Sequence, residues 1–188
     1  RSAWCRADCP PESRAAPAPT ATIASLPTTG WQPLLPEAVQ ADGWGKLAKP
    51  LYVPGNPPDV AMRARLRFAP NSAGISVRES SHGDSFRAEV AASGDAVMLH
   101  RDSPEAVERK LIARAALPQP LTPGKDYVLA VASDGDTVSV HVDGRPLLSE
   151  RITRLAGKAV LWTRSPVDVR DIQWLALRPA LNSASACS

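Results

Sequence analysis

The stretch from residue 60 to residue 68 reads VAMRARLRF, and apolar and basic side chains alternate along it. A period of two is the signature of a β-strand with one buried face and one exposed face. The sequence therefore predicts a strand here, with the apolar set directed inward and the basic set outward: Val60, Met62, Ala64, Leu66 and Phe68 against Arg63, Arg65 and Arg67.

The same alternation recurs along the rest of the chain. It marks GISVRE (74–79), SFRAEVA (85–91), AVMLHR (96–101), TVSVHVD (137–143), KAVLWTR (158–164) and DVRDIQWLALR (168–178). DYVLAVAS (126–133) is apolar on both faces and predicts a central strand. Gly and Asp supply the turns between these stretches. Residues 104–116 fit either a short helix or a strand, and the strand is favoured. Nine or ten strands without a long helix predict an all-β, antiparallel β-sandwich or jelly roll.

The N-terminal part differs in composition, because most of the 19 prolines precede residue 59. Proline removes a backbone donor and fixes φ, so this part is neither a continuous helix nor a central strand. We expect an extended, Pro-rich arm at 1–39, the sandwich at 40–180 and a tail at 181–188. Trp4 and Trp31 lie among the prolines and are predicted to anchor the arm, either to this domain or to a partner. Trp44 is expected to pack on the sandwich.

Composition excludes several classes of function. The net charge of +3 is too small to attract a nucleic acid strongly. No apolar run is long enough to span a bilayer. Cys5, Cys9 and Cys187 are disulfide candidates that would join the two ends of the chain, although three reduced thiols are the alternative. A terminal disulfide requires an oxidising compartment, so we expect a periplasmic or extracellular protein whose signal peptide or membrane anchor was removed or is not included in this sequence. A cytoplasmic chain without its start is the alternative.

One group of charged residues has the outward parity of three strands. It comprises Arg63, Arg65, Arg67, Arg78, Arg87 and Glu89. If these strands pair, the group forms a single charged face that is either a solvated surface or a docking face for an acidic partner or a glycan. Carbohydrate modules usually stack sugars on exposed aromatic rings, and this predicted face has none, so a protein partner is favoured.

The sequence predicts no catalytic residues, no metal site and no cofactor. The Glu-x-Asp-x-x-Glu pattern of some glucanases is absent, and His82, His100 and His141 have no ligand spacing. Oxygen ligands for calcium at Asp134, Asp136 and Asp143 are an alternative, but Asp-Gly turns need such residues for backbone geometry alone.

The order of motifs is that of a known family. NSAGISVR is followed by SFRAEVAA, then by LTPGKDYVLAVASDGDTVSVHVDGRPLL and by GKAVLWTRSPVDVRDIQWLAL. Over residues 40–178 this order resembles the 3-keto-disaccharide hydrolase domain family, within the concanavalin A-like lectin/glucanase superfamily. The resemblance implies a concanavalin A-like jelly roll. It also implies, as one alternative, cleavage of 3-keto-glycosides that depends on Glu79 or Glu89.

Together, these features favour a non-catalytic, extracytoplasmic β-sandwich. We expect it to act as an interaction or accessory subunit of a membrane-associated assembly in a bacterial envelope, with protein subunits as partners. A carbohydrate-binding module is the first alternative, with a glycan as ligand. The 3-keto-glycoside-cleaving enzyme is the second.

Overall fold

A computed structural model describes residues 25–34, 42–105, 109–153 and 157–177. These residues form thirteen strands and no helix. In chain order the strands are β1 (Gln32–Pro33), β2 (Gly45–Leu47), β3 (Leu51–Tyr52), β4 (Val60–Arg67), β5 (Ala73–Glu79), β6 (Ser85–Val90), β7 (Ala96–Asp102), β8 (Lys110–Ala116), β9 (Asp126–Asp134), β10 (Thr137–Val142), β11 (Arg145–Arg151), β12 (Lys158–Thr163) and β13 (Val167–Ala176).

The strands build two antiparallel sheets that face each other. Sheet A has the order β1-β13-β4-β9-β10-β11, and β2 also pairs with β13. Sheet B has the order β3-β12-β5-β6-β7-β8. The fold is a jelly-roll-like β-sandwich, as the alternation of apolar and polar residues predicts. No helix in the described ranges is long and apolar enough to cross a bilayer.

The core lies between the two sheets and is built from the apolar positions of each alternating strand. Met62 and Leu66 of β4 and Leu129 of β9 are fully buried on the sheet A side. Ile75 of β5 and Leu99 of β7 are fully buried on the sheet B side. Because side chains alternate along a strand, burying these residues directs their neighbours to the two outer faces of the sandwich.

Several expectations are settled by this architecture. Residues 110–116 form a strand, so the choice of strand over helix is confirmed. Trp44 is buried on the sandwich, as expected. Strand β1 lies within the predicted arm and pairs with β13, while the boundaries at residues 39 and 180 stay predictions. Trp4 and the disulfide candidates Cys5, Cys9 and Cys187 lie outside the described residues.

The expectation of one continuous charged face is wrong. Strand β4, which carries Arg63, Arg65 and Arg67, belongs to sheet A. Strands β5 and β6, which carry the other predicted members, belong to sheet B. Alternation within a strand shows which residues share a face, but it does not show which sheet the strand joins.

Candidate functional site

The outer face of sheet B carries the densest group of interacting polar side chains. Phe86 and Ala88 of β6 point into the core, so Arg87 and Glu89 point outward. Across the sheet, Glu89 pairs with Gly74, which in turn pairs with Trp162. We call this surface the sheet B face and define it by Arg87, Glu89, His100, Asp102 and Trp162.

Trp162 occupies the space that a missing side chain leaves at Gly74. A Cβ atom at position 74 would lie 2.8 Å from Cζ2 of Trp162 and 2.4 Å from the carbonyl oxygen of Ala88. The indole is therefore packed against the backbone of β5, and it is only 6% exposed. The guanidinium carbon of Arg87 lies 4.3 Å from the ring centroid, which is a close cation–π contact. Only glycine at position 74 permits this arrangement.

Arginines and carboxylates form a network beside the indole. Arg87 Nη2 lies 2.9 Å from Asp102 Oδ2. Arg109 lies between the two carboxylates, 3.3 Å from Asp102 Oδ1 and 3.5 Å from Glu89 Oε1. His100 Nε2 lies 3.4 Å from Glu89 Oε1. Several of these contacts are long, so the network holds charge together without fully satisfying its hydrogen-bonding groups.

Unpartnered polar atoms are concentrated on this face. In the described residues, six buried side-chain nitrogen or oxygen atoms have no hydrogen-bond partner, and four of the six lie here. The four are Nδ1 and Nε2 of His100, Oδ1 of Asp102 and Nε1 of Trp162. A buried polar atom without a partner costs about 1 to 3 kcal/mol, and such atoms are rare in native proteins. Nε2 of His100 and Oδ1 of Asp102 have only the long contacts with Glu89 and Arg109 given above, so within the described residues this face has the most incompletely satisfied buried polar atoms.

Burial sets the protonation of the imidazole. It lowers the pKa of His100; the Glu89 carboxylate acts in the opposite direction, and the Arg109 guanidinium adds to the lowering. At neutral pH the ring is therefore uncharged and offers one donor and one acceptor. Burial also lowers the pKa of Arg87, which nevertheless stays a cation beside Asp102. The sheet B face thus combines donors and acceptors within a small area.

The two glutamates implied by the hydrolase resemblance do not form a glycosidase pair. Glu89 lies opposite Gly74, whereas Glu79 lies five residues further along β5, about 16 Å away by strand rise. The two carboxyl groups of a glycosidase are about 5 to 10 Å apart. Glu79 instead accepts a hydrogen bond of 3.0 Å from the hydroxyl of Tyr52 at the sheet edge.

Arg78 does not belong to any outer face, so its predicted outward position is wrong. Its φ angle of 58° breaks the alternation of β5, next to a register shift in the pairing with β12. The side chain turns into the interior, where Nη2 donates to Asp59 Oδ1 at 2.7 Å and to the carbonyl oxygen of Gly135 at 3.0 Å. Nε donates to Oγ of Ser133. Arg78 is therefore a buried structural cation.

The remaining predicted residues lie on the outer face of sheet A. Arg63 stacks on Trp31, with the guanidinium carbon 4.2 Å from the ring centroid, and Trp31 Nε1 donates to the carbonyl oxygen of Pro27. Trp31 thus packs on the sandwich itself. This is one of the two alternatives predicted for Trp31. The sequence did not show that Trp31, Trp44 and Trp162 lie against the arginines of the two faces, because these tryptophans come from other strands or loops.

Two of the aspartates considered as calcium ligands, Asp143 and Asp136, have other partners in the structure. Asp143 has a φ of 50°, and its Oδ1 accepts a hydrogen bond of 2.8 Å from the backbone of Val128. Asp136 lies 3.5 Å from Arg151. In the described ranges, no three or more His, Cys, Asp or Glu side chains are grouped as metal ligands.

Comparisons with known proteins support the fold. No protein-family model matches the sequence, and no curated protein matches it either. Among solved structures, the carbohydrate-binding module CBM66 from Bacillus subtilis matches with a TM-score of 0.50 at 18% identity, over 78% of this chain and 91% of that chain. A fructosyltransferase from A. japonicus matches with a TM-score of 0.53 at 15% identity, over 74% of this chain and 26% of that chain.

These likenesses confirm the all-β sandwich fold. At such low identity they show the fold alone. The narrower resemblance to the 3-keto-disaccharide hydrolase family has no matching family model and stays a prediction.

Proposed function

We propose that this chain is a non-catalytic carbohydrate-binding module that binds an oligosaccharide on the sheet B face. The observation that carries the proposal is the cluster of four buried polar atoms on His100, Asp102 and Trp162 that make no hydrogen bond within the described residues. Sugar hydroxyls donate and accept hydrogen bonds, so a sugar can satisfy the indole N–H, the imidazole and the carboxylate together. Ordinary solvated charges need no such ligand.

The geometry favours recognition by hydrogen bonds over ring stacking. The Trp162 ring is packed on Gly74 and covered by Arg87, which leaves little of its surface for a sugar. Its N–H group is the feature that a ligand would use. We infer that Arg109, which is one-third exposed, moves aside to admit the sugar, because its contacts of 3.3 and 3.5 Å with the two carboxylates are loose.

The fold is consistent with this function. The module from Bacillus subtilis is named for carbohydrate binding, and it shares the sandwich architecture over most of its length. The likeness supports a carbohydrate ligand without identifying the sugar.

The test is isothermal titration of the full chain with gluco-, galacto- and fructo-oligosaccharides. We expect at least one of them to bind and to raise the melting temperature. Asp102→Asn and Glu89→Gln should each weaken binding about tenfold. Each removes a charged carboxylate that either accepts a hydrogen bond from the ligand or holds Arg87 and His100 in place. Glu150→Gln, on the edge strand β11 of the other sheet, is the matched control and should bind as the wild type does.

Two results would contradict the proposal. One is that no oligosaccharide in the panel binds. The other is that a sugar binds equally well to the wild type and to the Asp102 and Glu89 variants, which would place its site elsewhere.

We further propose that the module acts in the periplasm or outside the cell, where polysaccharides are accessible. A role as an accessory subunit of an envelope assembly also stays a prediction. Fractionation of cells that produce the full-length native protein tests the location, and recovery in the cytoplasmic fraction alone would overturn it.

A further inference from the structure

The outer face of sheet A carries an excess of positive charge that the sugar-binding proposal does not use. We call it the sheet A face. It has five cationic side chains, four of which share three carboxylates, and two tryptophans lie against the arginines. The cations are Lys46, Arg63, Arg65, Arg67 and Arg170, the carboxylates are Asp126, Asp168 and Asp171, and the tryptophans are Trp31 and Trp44.

The carboxylates are shared between cations. Asp168 contacts Lys46 at 2.7 Å and Arg67 at 3.0 Å. Asp171 lies 3.4 Å from both Arg65 and Arg170. A carboxylate divided between two cationic side chains does not satisfy all the donors of both. The face therefore keeps donor groups that an incoming carboxylate could occupy.

Arg63 has the greatest unused capacity to bind a carboxylate. Its Nε donates to Oε1 of Gln173 at 2.8 Å, and the structure shows no carboxylate beside it in the described residues. Stacking on Trp31 at 4.2 Å holds the guanidinium plane in place. Trp44 supports Arg67 at 4.4 Å and Arg170 at 5.0 Å in the same way. These arginines are thus preorganised, which lowers the entropic cost of binding an anion.

The spacing of the arginines matches an extended acidic peptide. Arg63, Arg65 and Arg67 are alternate residues of one strand, so they repeat about every 6.8 Å. An extended peptide repeats the side chains of one face at the same interval. Arg170 lies opposite Arg65 on β13, which widens the cationic row by one strand.

We propose that the sheet A face docks an extended, acidic segment of a partner protein. Alternate Asp or Glu side chains of that segment pair with Arg63 and Arg65. The docking face lies on the opposite side of the sandwich from the sheet B face, so the proposal does not depend on sugar binding. It assigns the chain a protein partner of defined chemistry.

The test uses the full chain and a synthetic peptide of alternating Glu and Ser, titrated by calorimetry at low salt. A block isomer with the same composition tests the spacing, and an alternating Lys and Ser peptide tests the charge. We expect the alternating acidic peptide to bind at least about tenfold more tightly than the block isomer, and its affinity to fall as salt is added.

Variants locate the site. Arg63→Glu combined with Arg65→Glu should weaken binding of the alternating acidic peptide by at least about tenfold. Arg151→Glu is the matched control, because Arg151 is 82% exposed on β11 at the opposite edge of sheet A, and it should leave binding unchanged. If the charge reversal prevents folding, Arg63→Gln with Arg65→Gln removes the same donors without introducing repulsion.

Three results would overturn the proposal. They are no binding of the alternating acidic peptide, equal binding of the block isomer, and tighter binding of an oligogalacturonate of similar charge. The last result would assign the face to an anionic glycan.

Discussion

Replacing Asp59 by Ala should destabilise the fold severely, because Asp59 neutralises the buried cation Arg78. Asp59 and Arg78 side chains are 3% and 2% exposed. Breaking a buried pair by removing one partner costs about 3 to 5 kcal/mol. Arg78 keeps its bonds to Ser133 and to the carbonyl of Gly135, which favours the lower end of that range.

The same substitution also removes the acceptor for the backbone N–H of Gly135, which lies 2.9 Å from Asp59 Oδ1. A lost hydrogen bond of this kind adds about 1 kcal/mol. The total of about 4 kcal/mol corresponds to a fall in melting temperature of about 8 to 16 °C for a domain of this size. Urea denaturation followed by circular dichroism measures the free energy, and a thermal scan measures the temperature.

Two further variants separate the causes. Asp59→Asn keeps an acceptor for Gly135 but loses the charge, so it should lose about 3 kcal/mol. Asp95→Ala is the control, because Asp95 forms a solvent-exposed pair with Arg114, and exposed pairs contribute little to stability. A loss below about 1 kcal/mol for Asp59→Ala would refute the assignment of a desolvated charge at Arg78.

Three further perturbations follow from the same structure. Gly74→Ala places a Cβ atom 2.8 Å from the Trp162 indole. We expect the free energy of unfolding, measured by urea denaturation, to fall by about 1 to 3 kcal/mol and the near-ultraviolet circular dichroism spectrum to change. An unchanged spectrum would contradict the close packing. Burial lowers the pKa of both His100 and His141 in the folded protein. As pH falls through about 6.5, the pKa of histidine in the unfolded chain, the unfolded state therefore binds more protons than the folded state, and the free energy of unfolding should decrease. His100→Gln and His141→Gln should each make the free energy of unfolding depend less steeply on pH. A pH dependence as steep as that of the wild type in both variants would argue against the assignment. Asp143→Ala should lower the free energy of unfolding by about 1 to 2 kcal/mol, because Ala disfavours a φ of 50° and cannot accept the hydrogen bond from Val128 of β9. Added calcium or a chelator should leave the melting temperature of the wild type unchanged.

The strands could be predicted because burial imposes a strict period on this sequence. In β4 every second residue is apolar, and each of those positions is buried in the structure. The hairpin between β10 and β11 was also predictable, since Asp143 and Gly144 both adopt positive φ at the turn. The assignment of strands to sheets was not predictable, because alternation says nothing about which strand lies beside which.

The site was predicted only in part, for reasons that particular residues show. Arg87 and Glu89 have the outward parity expected of them, and both lie on the sheet B face. Arg78 has the same parity in the sequence, but a positive φ reverses its direction. Trp162 and Gly74 are 88 residues apart, and their contact follows from the pairing of β12 with β5. No local sequence pattern predicts a contact between residues so far apart in the chain.

The two groups of buried charged side chains in this sandwich differ in how completely their hydrogen-bonding groups are satisfied. That difference distinguishes a group that stabilises the fold from one that is suited to bind a ligand. Around Arg78 the donors meet a carboxylate, a hydroxyl and a carbonyl at short distances. Around Trp162 three of the polar contacts are 3.3 to 3.5 Å long, and four buried polar atoms in the described residues make no hydrogen bond. Folding alone favours the first arrangement, because every desolvated group is compensated. The second arrangement costs stability unless something else completes it, so the sheet B face is where a ligand would gain most from binding.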